Sequence, residues 1–177
     1  MRYRFFWHIS APILLALPLW LSAATPRPLV WDDLLPDSWR PDPELVRLYQ
    51  EGEIGEDDPR IIAFRELLQD PNPPVNTTLD GQYITLSGYV VPLESHSSGK
   101  VESFLLVPFI GACIHVPPPP ANQQLYLTLP PDRAQKLNLF DWVEVEGVLT
   151  TESIESEFSS VGYQMQPRRV TRDESSN

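Results

Sequence analysis

From Gln82 onward the chain alternates apolar and polar residues with the period of two expected of half-buried strands, in runs separated by turn-forming residues. Asp80-Gly81 marks a turn, and the run Gln82 to Leu93 comes next, with Tyr83, Leu86 and the Tyr89–Val91 region apolar. Gly88 inside this run predicts a bulge or a sharp bend. Ser103 to Pro108 is almost continuously hydrophobic, as suits a strand covered on both faces. Gln124 to Leu129 sets Leu125, Leu127 and Leu129 on one side, and Asp141 to Thr151 sets Val143, Val145, Gly147 and Leu149 against Trp142, Glu144, Glu146 and Val148. Val161 to Val170 is a fifth run, and Asp132 to Leu139 fits a short helix capped by Asp132. Five strands, with a helical connection between the third and the fourth, predict a mainly β protein built on a small OB-like five-stranded barrel. An SH3-like barrel or a rolled sandwich would space its strands in much the same way.

Upstream the period changes. Asp42-Pro43-Glu44 supplies an N-cap, a first-turn proline and a carboxylate facing the helix dipole, with Leu45, Leu48 and Tyr49 as the apolar face behind it. A second helix is expected from Asp58-Pro59, with Ile61, Phe64, Leu67 and Leu68 on one side, ending before Pro71. Thr25 to Pro41 is rich in proline and tryptophan and reads as an ordered strap anchored by Trp31, Leu34, Leu35 and Trp39. The organisation this predicts is a signal peptide over 1–24, an arm with two short helices over 25–74, a barrel over 75–170 and a polar tail over 171–177.

The signal peptide rests on Arg2 and Arg4 before the apolar stretch Phe5 to Leu21, then the small residues Ser22-Ala23-Ala24. Pro12 and Pro18 interrupt that stretch, which argues against a retained anchor, so a periplasmic location and no membrane span after cleavage are expected. Cleavage would remove two arginines and no carboxylate, moving the formal charge from −11 to −13. So acidic a chain repels nucleic acid and anionic lipid, whose recognition requires basic patches. Cationic or neutral partners are expected instead.

The candidate chemistry sits in Gly111-Ala112-Cys113-Ile114-His115-Val116, leading into four prolines, Pro117 to Pro120. In an extended segment Cys113 and His115 share a face, and the prolines stiffen the backbone on their carboxyl side. A single cysteine cannot close a disulfide within the chain, so Cys113 is a free thiol, a ligand or half of an intermolecular bridge. A thiolate beside an imidazole suits zinc or copper(I), with Glu94 and His96 as the candidates to complete a shell. The same pair could instead form a thiol enzyme, for which Asn122 and Gln123 are the available orienting groups. That alternative suffers because the prolines remove four N–H donors from the place where an oxyanion would need them. A metal-free adaptor would use the Pro117–Pro120 run with Trp31 or Trp39 as hydrophobic contacts. Asn76-Thr77-Thr78 matches a glycosylation sequon that an exported bacterial chain would not use, and Glu152, Glu155 and Glu157 read as a solvated acidic turn.

The signature Gly111 to Gln123, together with Gly88-Tyr89-Val90-Val91-Pro92-Leu93-Glu94, Phe104 to Pro108, Tyr126 and the motif Trp31-Asp32-Asp33-Leu34-Leu35-Pro36, resembles an uncharacterised family of exported bacterial proteins, a domain of unknown function. The resemblance implies an envelope protein. It also implies envelope ABC-transporter components, or another periplasmic protein, as partners, since several relatives are encoded beside such components and some are linked to zinc uptake.

Overall fold

The computed structural model describes residues 25–40, 42–70, 72–110, 119–155 and 160–172. Its strands are β1 (Arg27–Pro28), β2 (Tyr83–Ser95), β3 (Val101–Val107), β4 (Leu125–Thr128), β5 (Trp142–Thr150), β6 (Ile154–Glu155), β7 (Ser160–Val161), β8 (Tyr163–Met165) and β9 (Arg169–Arg172). Two helices, α1 (Pro43–Gln50) and α2 (Pro59–Leu67), precede the barrel. Strands β2, β3, β4, β8 and β5 pair in that order, and β5 pairs back onto β2, which closes a five-stranded barrel of OB-like order. The parallel pair in the ring is β4 with β8, in the register Leu125 opposite Tyr163.

Closure depends on β2 serving two partners. Its first half, Tyr83 to Tyr89, pairs with β5, and its second half, Tyr89 to Ser95, with β3. Inward positions Ile84, Leu86 and Val90 join Phe104, Leu106, Leu125, Leu127, Val143, Val145 and Leu149 in one core. The faces of β4 and β5 foreseen from the alternation are those observed. β3 is buried on both sides, because Leu105 and Val107 pack outward with Val161 beneath Tyr89, Val91, Leu93 and Tyr126.

Gly88 is not a bulge. Its register with Val143 is unbroken, and the irregularities of β2 lie between Pro92 and Ser95. What Gly88 provides is room: a Cβ there would stand 2.8 Å from the Val107 carbonyl oxygen and 2.9 Å from the Trp31 ring. The Trp31 indole N–H donates to the Ser87 carbonyl at 2.9 Å. The strap is thereby seated against the strand where the barrel changes partner.

The rest of the strap is equally built in. β1 lies parallel to β2, with Arg27 opposite Ile84, along an edge of β2 that β3 does not reach. Covering that edge removes a row of free backbone groups. Leu29 and Leu34 enter the main core, and Trp39 is buried as well. The helices begin as their caps foretell: Asp42 accepts from the Glu44 amide at 2.9 Å and Asp58 from the Arg60 amide at 2.8 Å. On α1, Leu45 is buried but Tyr49 is exposed. α2 buries no residue completely, and Ile61, Phe64 and Leu67 are only half covered.

Two further expectations are corrected. Residues 132–139 form no helix; Arg133 closes a turn onto the Pro130 carbonyl, and Gln135 bridges to Val101. Pro130 and Pro131 begin this connection, and one hydrogen-bonded bridge to the barrel outweighs a helix too short to meet its nucleation cost. The run Val161–Val170 is three strands rather than one, since the chain leaves β7, fills the gap between β4 and β5 as β8, and crosses to the outer edge of β5 as β9.

Replacing Gly88 by valine is expected to destabilise the fold by about 1–3 kcal/mol, the usual range for forced overpacking. Urea denaturation would register this as a lower midpoint at unchanged slope, and an unaltered midpoint would show that Trp31 can withdraw without cost.

Candidate functional site

β3 ends at Val107, and Pro108 leads out to Phe109 and Ile110, which expose 42% and 57% of their surface. The chain re-enters at Pro119 and Pro120 and makes a turn over Ala121–Gln123 before β4. Cys113 and His115 lie outside the described residues, as do Pro117 and Pro118.

The returning limb is held by three consecutive amide side chains. Asn122 donates to the Pro74 carbonyl at 3.0 Å, Gln123 to the Trp31 carbonyl at 2.9 Å and Gln124 to the Pro119 carbonyl at 2.5 Å. Asn122 is completely buried, and its Oδ1 has no hydrogen-bond partner among the described residues. Through their N–H groups, Asn122 and Gln123 fasten the limb to the backbone of the lead-in to β2 and of the strap. The signal for this was present as three amides directly before a strand, but their targets are set by the strap, which is remote in sequence.

Beside these limbs lies a crevice of about 270 Å³. Leu35 and Trp39 of the strap form one wall, Phe64 of α2 and its C-cap Leu68 another, and Phe109 with Pro119 and Pro120 the third. Asp32 and Gln123 are its polar members. The surface is concave and mostly apolar, with few polar groups among its described members, which is the character of a binding site.

Tyr163 sets the strap wall in place. Its hydroxyl donates to the Leu34 carbonyl at 2.5 Å and accepts from the Asn76 amide at 2.6 Å, while Asn76 Nδ2 donates to the Asp33 carbonyl at 2.9 Å. Burial pushes the hydroxyl up to about 12, a rise only partly offset by the Asn76 amide. Gly162 lets this corner close, since a Cβ there would stand 2.6 Å from Val75 and 3.1 Å from the Ala121 carbonyl.

The other two candidate ligands lie on the hairpin between β2 and β3. Glu94, near the end of β2, accepts from the Ser103 hydroxyl at 3.2 Å. His96 closes the next hairpin: its amide donates to the Lys100 carbonyl at 2.8 Å, and its Nδ1 lies 3.2 Å from the Ser97 hydroxyl. This hairpin feeds the start of β3 and Phe109 leaves its end, while Cys113 and His115 lie outside the described residues. Among the described residues no three His, Cys, Asp or Glu side chains converge as a metal site. No described helix is long and apolar enough to cross a membrane.

A family model described as "Protein of unknown function (DUF3299)" matches residues 31–172, from the strap to β9. The chain belongs to the DUF3299 family. The crystal structure of a DUF3299 family protein from Pseudomonas aeruginosa PAO1 is 38% identical over 85% of this chain and 98% of that one, with a TM-score of 0.64. OBody AM3L09, solved bound to hen egg-white lysozyme, is similar at 14% identity over 55% of this chain and 86% of its own, with a TM-score of 0.38. No curated protein matches the chain.

The position of Tyr163 gives this DUF3299 protein an alkaline limit. The folded state holds the phenolic proton to about pH 12, whereas an unfolded tyrosine releases it near pH 10. Stability is therefore fully present below pH 10 and lost as pH rises from 10 toward 12, with a slope of up to about 1.4 kcal/mol per pH unit from this group. Tyr83, raised by its bond to Glu146, adds a smaller term of the same sign. Denaturant titrations across this range should show a shallower decline in Tyr163→Phe, from a baseline lower by about 1–3 kcal/mol because the Leu34 carbonyl and Asn76 amide lose their partner. Parallel declines in the two proteins would contradict this.

Proposed function

We propose that this protein is a non-enzymatic binding module of the bacterial envelope, an accessory to an ABC-type transport system, and that it engages its partner through the crevice between the strap, α2 and the 108–123 connection. The observation that carries this is the apolar crevice itself, rimmed by the exposed Phe109 and Leu68 and fixed by bonds that span the chain. The amino-terminal signal and the resemblance to transporter-associated envelope proteins support the location and the class of partner. Net charge supports a neutral or cationic contact surface on that partner.

A photo-cross-linking residue at Phe109, in cells, should capture a subunit of an envelope transporter, and the same probe at Val148, exposed on β5, should not. Leu68→Ser should reduce the capture at Phe109 severalfold, because an apolar contact near the centre of an interface carries much of its energy. Equal capture from both positions, or none from either, would end this reading.

The pair Cys113 and His115 supports an additional role for the connection that bounds the crevice, the holding of zinc or a similar cation. Thiolate and imidazole are ligands suited to that ion, and two of them need further donors, for which Glu94 and His96 on the β2–β3 hairpin are the candidates. Equilibrium dialysis should find stoichiometric zinc on the natural protein, weaker binding in Glu94→Ala, and loss of it in Cys113→Ala and His115→Ala. Equal, negligible uptake by all four proteins would remove the metal.

A further inference from the structure

Five basic residues of this acidic chain lie on the β4–β5 connection and on the approach to and along β9: Arg133, Lys136, Arg168, Arg169 and Arg172. Arg133, Arg168 and Arg169 line one pocket, and Arg172 donates to the Lys136 carbonyl. Four carboxylates lie on the neighbouring elements. Glu146 is engaged by Arg169 and by the Tyr83 hydroxyl, and Asp141 by Arg172, while Asp132 and Glu144 are exposed and make no ion pair among the described residues.

Arg133 and Arg168 have no carboxylate partner among the described residues, although acidic groups outnumber basic ones almost two to one. Each is positioned by something other than an anion. Arg133 Nη1 donates to the Pro167 carbonyl at 2.7 Å, and the Arg168 guanidinium lies over the Tyr83 ring, 4.8 Å from its centre. Together with Arg169 they line a pocket of about 230 Å³ whose apolar members are Leu129, Pro167 and Val170. No described carboxylate lines it.

A guanidinium carries five N–H donors, so one bond to a carbonyl, or a stacking contact through the face, leaves most of the fork free. Two such forks held at the mouth of an apolar recess match a ligand with an anionic oxygen head and a short hydrocarbon body. The volume lies below the roughly 300–1,000 Å³ of sites for drug-sized molecules, which restricts that body to a few carbons.

We propose that Arg133 and Arg168 form a binding site for a small organic oxyanion, a carboxylate or phosphate on a short apolar body, separate from the crevice at the other connection. Arg169 contributes less, being already neutralised by Glu146. The site requires neither Cys113 nor the strap, so it stands or falls independently of the accessory role.

The test is a set of amide chemical-shift titrations on the whole protein with butyrate, inorganic phosphate and neutral butyramide. Saturable shifts at Gln135, Arg169 and Val170 are expected with at least one of the anions and not with butyramide. Tighter binding of butyrate would show that the apolar body contributes, and tighter binding of phosphate that the doubly charged head dominates. Arg133→Ala and Arg168→Ala should each weaken the binding about tenfold, as loss of a charge-assisted contact does. Both side chains are exposed, so unchanged spectra elsewhere would confirm that the variants fold. Shifts that stay linear with both anions, or saturation that survives in both variants, would overturn the site.

Discussion

A single buried oxygen holds the strap to the barrel. The hydroxyl of Tyr163 uses its hydrogen on the Leu34 carbonyl and a lone pair on the Asn76 amide, so the last barrel strand, the strap and the lead-in to β2 meet at one atom. The Leu34 carbonyl is buried at that point and would cost on the order of 1–3 kcal/mol if left alone. The small residue at Gly162 allows the approach, and Asn122, Gln123 and Gln124 extend the same logic along the next limb. The crevice is a by-product of that clasp: with the strap fixed, Trp39 and Leu35 are set opposite α2 and Phe109.

Strand positions were legible because burial on a barrel repeats every second residue. Val143, Val145 and Leu149, or Leu125 and Leu127, announce their face without help from anything distant. Helix starts were legible for a similarly local reason, since Asp42-Pro43 and Asp58-Pro59 carry the cap and the first-turn proline in adjacent letters. Where a remote group decided the outcome, the letters were ambiguous. Gly88 looks like a kink until Trp31 is brought against it, and 132–139 looks like a helix until Gln135 finds Val101. The division of Val161–Val170 among β7, β8 and β9 depends on which neighbours leave space, and local pattern does not encode that.

The candidate site divides the same way. Glu94 and His96 belong to the hairpin that leads into β3, and Cys113 and His115 to the connection that follows it, outside the described residues. Asp32, Phe64 and Gln123 share one crevice although they are scattered along the chain. Within the DUF3299 family, the match to the 38% identical structure from Pseudomonas aeruginosa takes in 98% of that chain, and the family model runs from the strap to β9.

The clasp at Tyr163 also orders events in time. It joins residues 129 positions apart, and β8, on which it sits, is among the last strands to leave the ribosome. Closing so long a loop is entropically costly and is repaid only once the ring of strands exists to receive it. Leu35 and Trp39 thus wait on a late-made contact, and the crevice they help to line depends on a strand near the carboxyl end of the chain.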